Sequence, residues 1–171
     1  MRRLFLGFAP TPAQVVQLSA LQRDCQSSGQ PVNQANLHMT LVFLGMVSQE
    51  QEQQLRDAVA GLPRCRFSVT LDQLVYWQGA KVLCLSGTVM DPALKQLAHC
   101  AGQLAARLGL HQSEHPFTPH ITLSRKAKSL PAKVVPPSIS LQPDSLHLYL
   151  SHNPGDGVRY DIIQSWPLRS G

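Results

Sequence analysis

The sequence predicts an α+β fold, or a two-lobed α/β sandwich, and three observations point to it. Segments with the alternating apolar pattern of strands are interspersed with segments whose apolar residues recur at helical spacing. No linker rich in Gly, Ser or charge divides the chain, so residues 1–171 are expected to form one domain. The composition, with 43% hydrophobic and 15% charged residues, is typical of a globular protein and excludes the disordered class.

Seven segments have the apolar content and the bounding turn residues of strands. Residues 78–80 form a turn between two of them, and the Gly-Asp-Gly at 155–157 forms a turn between the last two. The proline-rich stretch 131–137 is expected to be a loop. The strands are predicted over residues 3–8, 37–44, 67–77, 81–89, 120–124, 146–150 and 160–166.

Three helices are predicted, each with a recognisable start. Thr11 is an N-cap followed by Pro12 at the first helical position. Ser48 is followed three residues later by Gln51, as in a capping box. Asp91 begins the third helix, whose apolar stripe is the clearest in the chain. The first and third helices follow from their apolar spacing, whereas the second is polar and is predicted to end at Gly61. The helices are predicted over residues 11–27, 48–61 and 91–109.

The net charge and the spacing of the cysteines limit the kinds of binding partner and the cellular compartment that we expect. The formal net charge is +5 and the pI about 9.3, which favours a polyanionic partner and leaves RNA, nucleotides and anionic metabolites open. Cys25, Cys65, Cys84 and Cys100 stand far apart, so we expect reduced, singly buried thiols and a cytoplasmic protein. The N-terminal apolar run is too short for a signal peptide, and no stretch approaches the roughly 20 apolar residues of a membrane span.

Two tetrapeptides, at 38–41 and 120–123, share the pattern His-apolar-Thr-Leu. Because side chains alternate along a strand, His38 and Thr40 point the same way about 6.5 Å apart, and so do His120 and Thr122. If the two strands lie side by side in a cleft, two imidazoles and two hydroxyls meet in a volume about the size of a phosphate. One H-x-T on a strand is common by chance, whereas a pair is much rarer.

Such a set of groups suits phosphodiester chemistry without a metal. A neutral imidazole can take a proton from the attacking oxygen while an imidazolium gives one to the leaving oxygen, and each such transfer contributes about 10²–10⁴ in rate. The threonine hydroxyls can hydrogen-bond the non-bridging oxygens and stabilise the charge that develops there.

The sequences around both motifs, at 36–45 and 116–125, resemble the 2H phosphoesterases, and within them the bacterial RNA 2′,3′-cyclic phosphodiesterases, also called 2′-5′ RNA ligases (ThpR/LigT type). The resemblance covers most of the chain. It implies a bilobal fold of two pseudo-symmetric lobes of antiparallel sheet, with helices outside and a central cleft. It also implies a monomer that needs neither cofactor nor metal.

The resemblance further implies the reaction and the roles. His120 is the proton acceptor that activates water to attack the cyclic phosphorus, and His38 is the donor that protonates the departing 3′ oxygen, leaving a 2′-phosphomonoester. Thr40 and Thr122 hold the phosphate. The implied partners are RNA with 2′,3′-cyclic phosphate ends or small cyclic nucleotides, and reversal with an RNA 5′-hydroxyl gives a 2′-5′ linkage.

Four further side chains are weaker candidates. The Arg125 guanidinium could bind phosphate bidentately, but it lies an odd number of residues from the motif histidine and would face away unless the strand bends. Phe117, Tyr149 and Trp77 could stack a nucleobase, with core packing as the competing interpretation.

Two alternatives stay open, a module that binds a nucleotide or RNA end without turnover, and a phosphodiesterase for ADP-ribose 1″,2″-cyclic phosphate. A zinc site at His111 and His115 is disfavoured, because Gly109 and Pro116 bracket them in a loop. Cys84 and Cys100 sit among apolar residues and are interpreted as structural thiols.

Overall fold

Nine strands and three α-helices are present in the computed structural model, which describes residues 1–26 and 28–170. All strand pairings between named strands are antiparallel, and the predicted α+β class is confirmed. In chain order the elements are β1 (Arg2–Phe8), α1 (Pro12–Asp24), β2 (Gln30–Pro31), a 3₁₀ helix (Gln34–Asn36), β3 (Met39–Val47), α2 (Gln49–Val59), β4 (Val69–Trp77), β5 (Val82–Gly87), α3 (Pro92–Arg107), β6 (His120–Arg125), β7 (Ile139–Leu141), β8 (Ser145–His152) and β9 (Arg159–Pro167).

The helices begin at the predicted caps. Thr11 Oγ1 accepts a hydrogen bond from the Gln14 N–H at 3.2 Å, while the Gln14 side chain accepts one from the Thr11 N–H at 2.9 Å. Ser48 and Gln51 form the same reciprocal pair at 3.1 and 3.0 Å. Asp91 Oδ1 accepts from the N–H of the second residue of α3 at 2.9 Å. These bonds satisfy backbone donors that a helix leaves free at its first turn.

Some boundaries differ from the sequence expectation. The predicted end of the first helix near Ser27 lies outside the described residues, and α1 ends at Asp24. The strand expected from residue 37 begins at Met39, because a 3₁₀ helix capped by Asn33 precedes it. Strands β2 and β7 were not predicted, since two or three residues are too few to show a periodic pattern.

One nine-stranded sheet has the order β7-β4-β5-β6-β3-β1-β8-β9, with β2 paired to β6. Strands β3 and β6 are joined through a single residue pair, Met39 with Ile121, which divides the sheet into two halves of four strands each, and β2 adds a short fifth strand to the half of β6. In each half a strand leads through a helix to its antiparallel neighbour, β1–α1–β3 in one and β5–α3–β6 in the other. This repetition confirms the predicted pair of pseudo-symmetric lobes.

The first and third helices each pack against the lobe opposite to the strand that they follow. Helix α1 follows β1 but contacts the other half, where Gln22 Nε2 donates to the Leu123 carbonyl of β6 at 2.9 Å. The chain leaving α3 turns back to the first half, where the His111 N–H donates to the Leu44 carbonyl of β3 at 3.3 Å. Buried leucines such as Leu18 and Leu97 pack these helices on the sheet, and both are fully inaccessible to solvent.

Two glycines let neighbouring strands approach the start of each motif strand. A Cβ on Gly7 would lie 2.7 Å from the Met39 carbonyl oxygen, and Gly7 pairs with Thr40. The Gly87 N–H donates to the Pro119 carbonyl at 3.1 Å, and a Cβ there would lie 2.0 Å from a backbone oxygen of β4. Only glycine fits such contacts, so both motif strands begin against a tightly packed neighbour.

All four cysteines are free thiols, as expected. Cys25 and Cys84 are buried, whereas Cys65 and Cys100 are only half-buried, so the expectation that every thiol is buried is wrong for these two. Within residues 1–26 and 28–170, no helix is long and apolar enough to cross a membrane.

Candidate active site

The two H-x-T motifs meet where the halves of the sheet join. Met39 and Ile121 form the single pair between β3 and β6, and both side chains are fully buried in the core. Because side chains alternate along a strand, the residues on either side of this pair face away from the core, on the opposite side of the sheet. These residues are His38, Thr40, His120 and Thr122.

The antiparallel register fixes how these four side chains are arranged. With Met39 opposite Ile121, extension of the pairing by one residue places His38 across from Thr122 and Thr40 across from His120. The two imidazoles therefore occupy diagonal corners of a four-residue cluster, with Cα atoms roughly 7–8 Å apart across the diagonal. A phosphate placed between them would meet one imidazole and one hydroxyl on each side.

Both rings are held in the same way by the chain that precedes them. His38 Nδ1 lies 2.7 Å from the Asn36 carbonyl oxygen, and His120 Nδ1 lies 2.8 Å from the Thr118 carbonyl oxygen. A carbonyl only accepts hydrogen bonds, so Nδ1 carries the proton in each ring and Nε2 is left for chemistry. In His38 this Nε2 is 2.9 Å from Thr40 Oγ1.

Burial lowers the pKa of both imidazoles. The pKa of His38 falls to about 4, chiefly because the ring is desolvated, and the positive charges of His120 and Arg125 lower it further against the opposing effect of the Asn36 carbonyl. Desolvation also lowers the pKa of His120, partly offset by its bond to the Thr118 carbonyl. Both rings are therefore neutral at neutral pH when the cleft holds no anion, and an anion placed between them would favour their protonation.

Aromatic side chains pack against both imidazole rings. The Phe5 ring centroid is 4.7 Å from that of His38, and the Tyr160 ring meets His38 edge-on at 5.0 Å. On the other side of the cluster, Trp77 meets His120 edge-on at 4.6 Å. Each imidazole is thus braced by an aromatic ring that limits its rotation.

Arg125 lies on the same side as the cluster, against the expectation from simple alternation. In the β5–β6 pairing Cys84 faces Thr122 and Leu83 faces Ser124, so one residue of β6 has no partner and forms a β-bulge. A bulge shifts the alternation by one residue beyond it. Arg125 Nη2 consequently donates to Tyr160 Oη at 2.9 Å, beside the His38 ring.

Asn36 and Tyr160 were not singled out from the sequence, yet they organise the His38 side of the cluster. The Asn36 side chain donates to the Val158 carbonyl at 2.8 Å and accepts from the Tyr160 N–H at 3.1 Å. Its own carbonyl orients His38, as described above. An asparagine two residues before the motif is visible in the sequence, but its partners lie more than 120 residues away and no spacing rule indicates them.

The predicted base-stacking residues have different positions. Tyr149 is only 5% exposed and its ring stacks on Phe5 with centroids 4.7 Å apart, so its burial contradicts the prediction that it stacks a nucleobase. Phe117 and Trp77 are half-buried and line the cleft. Stacking by these two rings stays a prediction.

A cleft of about 1210 Å³ opens beside the cluster. Two of the four motif residues, Thr40 and His120, line it, together with one face of α3 and the loop that follows this helix. Within the described chain the lining includes Lys95 and several histidines but no aspartate or glutamate. The cleft therefore offers positive and neutral donors to an anionic ligand.

The two histidines weighed as zinc ligands, His111 and His115, are both exposed in the loop after α3. Among residues 1–26 and 28–170, no three His, Cys, Asp or Glu side chains are grouped so as to hold a metal ion.

Comparison with known proteins identifies the family. Residues 10–154 match the model of the 2'-5' RNA ligase superfamily. The RNA 2',3'-cyclic phosphodiesterase of Escherichia coli K12 is 37% identical over 144 residues, which cover 82% of this chain and 81% of that protein. The RNA 2',3'-cyclic phosphodiesterase of Geobacillus stearothermophilus is 30% identical over 160 residues, which cover 80% of this chain and 47% of that protein.

The fold comparison agrees. The crystal structure of E. coli LigT complexed with 3'-AMP superposes with a TM-score of 0.87 at 34% identity, over 98% of both chains. The two-lobed sheet with one H-x-T strand from each lobe defines a two-histidine phosphoesterase, as the sequence resemblance implied. The chain belongs to the 2'-5' RNA ligase superfamily.

Proposed function

We propose that this protein is an RNA 2′,3′-cyclic phosphodiesterase that uses His38 and His120 as an acid–base pair. The observation that supports this proposal most strongly is that both imidazole rings are oriented by the same hydrogen bond. Each donates Nδ1–H to the carbonyl two residues earlier, which leaves Nε2 as the reacting nitrogen, and in His38 this Nε2 lies 2.9 Å from Thr40 Oγ1. The two rings come from different lobes across one residue pair. Both sequence relatives, from E. coli and G. stearothermophilus, are RNA 2',3'-cyclic phosphodiesterases, which supports the same activity here.

The proposed hydrolysis is balanced by two proton transfers. His120 Nε2 takes a proton from water as the water oxygen bonds to phosphorus, and the bond from phosphorus to O3′ breaks. His38 Nε2–H gives its proton to O3′, so a 2′-phosphomonoester and a free 3′-hydroxyl result. Thr40, Thr122 and Arg125 hold the non-bridging oxygens, whose charge grows in the transition state.

Substrate binding supplies the protonation state that this mechanism needs. With a pKa of about 4, His38 is neutral in the empty cleft at pH 7 and cannot yet act as an acid. The negative charge of the bound phosphodiester offsets the cost of burying an imidazolium and raises the pKa of His38. The proton donor is thus charged by the substrate on which it acts.

A His38→Ala variant tests the proposal against a module that binds without turnover. Hydrolysis of a 2′,3′-cyclic nucleotide should fall by about 10²–10⁴, the worth of one proton transfer, while affinity for the 2′-phosphate product stays within several-fold. His152→Ala, at a histidine that does not line the cleft and is bonded to Asp161, is the matched control and should keep full turnover. Undiminished hydrolysis in His38→Ala would remove this residue from the mechanism.

Two product assays define the substrate class. End-group analysis should find a 2′-phosphate, since a 3′-phosphate would reverse the assigned leaving group. Rates on cyclic-phosphate-ended RNA should exceed those on ADP-ribose 1″,2″-cyclic phosphate, and the opposite order would favour the latter compound as substrate.

We further propose that the protein works in the cytoplasm as a monomer of one domain. Both H-x-T motifs come from the same chain, so the proposed site is complete without a second copy. One sheet runs through both lobes, which supports a single domain. The four free thiols suit a reducing compartment.

A further inference from the structure

A group of exposed lysines surrounds Ala127, directly after the strand that carries the second motif. Lys126 and Lys128 flank Ala127 along the chain, and the Ala127 N–H donates to the Lys81 carbonyl at 2.9 Å, so the start of β5 lies alongside. Ala127 itself is buried, whereas the three lysine side chains are exposed. We call Lys81, Lys126 and Lys128 the lysine tract.

The positive charges of the lysine tract are not neutralised by carboxylates. In the part of the chain that the structure describes, no ion pair includes a lysine of the tract. Arg125, which directly precedes the tract, donates to the hydroxyl of Tyr160 and not to a carboxylate. Four positive charges therefore lie close together, an arrangement that costs stability through repulsion and that a bound anion would relieve.

Two lysines of the tract also have a backbone conformation that lysine rarely adopts. Lys81 has a φ of 56° and Lys126 a φ of 53°, in the left-handed region that favours glycine. A residue held in this region costs free energy, and such residues cluster where ligands bind. Glycine would relieve the strain at both positions, so the turns themselves do not account for lysine there.

The tract is continuous with the active-site cluster through Arg125. The Arg125 guanidinium donates to Tyr160 Oη, and the Tyr160 ring meets the His38 ring edge-on. Lys128 is three residues beyond Arg125, so the two Cα atoms lie at most about 10 Å apart. A phosphate at the cluster and a second phosphate at the tract can therefore belong to one nucleic-acid strand.

Trp77 connects the tract to the other reacting histidine. Its ring meets His120 edge-on at 4.6 Å, and in the β4–β5 pairing Trp77 lies opposite Val82, the residue after Lys81. An aromatic ring beside a row of cations is the combination that binds single-stranded nucleic acid through stacking and charge neutralisation.

Displacement at phosphorus places the nucleoside of the substrate near Arg125. The attacking and leaving oxygens lie on opposite faces of the phosphorus. His38 protonates O3′ in the proposed reaction, so the ribose that keeps O2′ and O3′ lies on the His38 side, where Arg125 also lies. An RNA strand continues from the 5′ oxygen of this ribose, so its next phosphodiester is one nucleotide away from Arg125.

We propose that the lysine tract binds the phosphodiester backbone of RNA on the 5′ side of the cyclic phosphate. The inference rests on the proposed function, and it makes an RNA strand, and not a cyclic mononucleotide, the preferred substrate. Lysines that bind backbone phosphates carry no base information. The preference for a strand therefore depends on its length and on the salt concentration, and not on its sequence.

A double variant removes charge from the tract, and a second one removes the same charge elsewhere. Lys126→Gln combined with Lys128→Gln deletes two positive charges at exposed positions. Arg66→Gln combined with Arg107→Gln is the control, because Arg66 pairs with Asp144 before β8 and Arg107 is exposed at the end of α3. Both variants have the same net charge, so a difference between them reports where the charge lies.

The kcat/KM for hydrolysis is measured on a 2′,3′-cyclic mononucleotide and on an unstructured oligonucleotide with the same terminal base and cyclic phosphate. Each lost phosphate contact reduces the slope of log affinity against log salt by about 0.7 for a single strand. The tract variant should therefore lower kcat/KM for the oligonucleotide about tenfold at about 50 mM salt and reduce its salt slope by about 1.4. Its kcat/KM for the mononucleotide, and both values for the control variant, should change by less than about twofold.

The results separate the tract from the function on which it rests. Equal kcat/KM of the wild-type protein on the two substrates, or the same loss in the tract and control variants, would overturn the tract and leave the proposed function intact. Absence of hydrolysis of both substrates by the wild-type protein would refute the proposed function. In that case fluorescence anisotropy with the oligonucleotide ending in a 2′-phosphate decides the tract, since only the tract variant should bind it about tenfold more weakly.

Discussion

The depressed pKa of His38 predicts a specific loss of stability in acid. The ring titrates near 6.5 in an unfolded chain and at about 4 in the folded protein, so unfolding takes up a proton between these values. The stability contribution is fully present above pH 6.5 and is lost as the pH falls toward 4.

The magnitude follows from the same two values. Proton linkage between a pKa of 6.5 and one of about 4 makes the folded protein about 3 kcal/mol less stable at pH 4 than at pH 8. His38→Gln keeps a polar side chain of similar size but cannot titrate. The difference in unfolding free energy between pH 8 and pH 4 should therefore shrink by about 3 kcal/mol in this variant.

Urea unfolding at pH 8 and pH 4, followed by circular dichroism, measures the change in unfolding free energy between the two pH values in the wild-type protein and in the variant. Carboxylates and the other histidines contribute to the acid loss in both proteins and cancel in the comparison. His115→Gln, at an exposed loop position, is the control for replacing a histidine by glutamine. If His38→Gln retains the full pH dependence, the ring is not desolvated as the structure indicates, and bound substrate is not what protonates the proton donor.

Three other predictions test the surroundings of the site. Tyr160→Phe removes the hydroxyl that accepts from Arg125 and should raise KM for the cyclic phosphate about three- to tenfold with a smaller change in kcat. Tyr76→Phe, which loses a hydroxyl bonded to the Ala127 carbonyl, should leave KM unchanged, and equal effects would exclude a positioning role for Tyr160. Gly102→Ala should raise the free energy of unfolding by about 0.5–1 kcal/mol, because Gly102 lies inside a helix with open space around it and glycine destabilises a helix interior. Gly87→Ala should lower the free energy of unfolding by about 1–3 kcal/mol, because its Cβ would meet the β4 backbone. Chemical denaturation that gives the opposite order would contradict the packing around these two glycines. Hydrolysis should continue in excess chelator, and a need for added zinc or magnesium would contradict acid–base chemistry by imidazoles alone.

Neighbouring residues along the chain are sufficient to predict much of the fold and the identity of the reacting groups. Thr11 with Gln14 and Ser48 with Gln51 begin helices because cap side chains bond to backbone donors only three residues away. The two H-x-T repeats indicated a pair of strands with imidazoles and hydroxyls on one face, because strand side chains alternate over short distances. Such interactions are read from neighbouring residues, so the sequence determines them.

Tertiary structure decided what depends on distant partners. The side on which Arg125 lies depends on a β-bulge against β5, and alternation along β6 alone gives the wrong answer. Asn36 orients His38 and anchors Tyr160 through bonds to residues far along the chain, and the burial of Tyr149 follows from stacking on Phe5 in another strand. The sequence by itself determined which groups react and on what local elements they stand. The protonation of these groups depends on how separate strands pack, because desolvation is a property of the assembled sheet. The placement of Arg125 and the cleft beside Thr40 and His120 depend on the same packing, because register is set between strands.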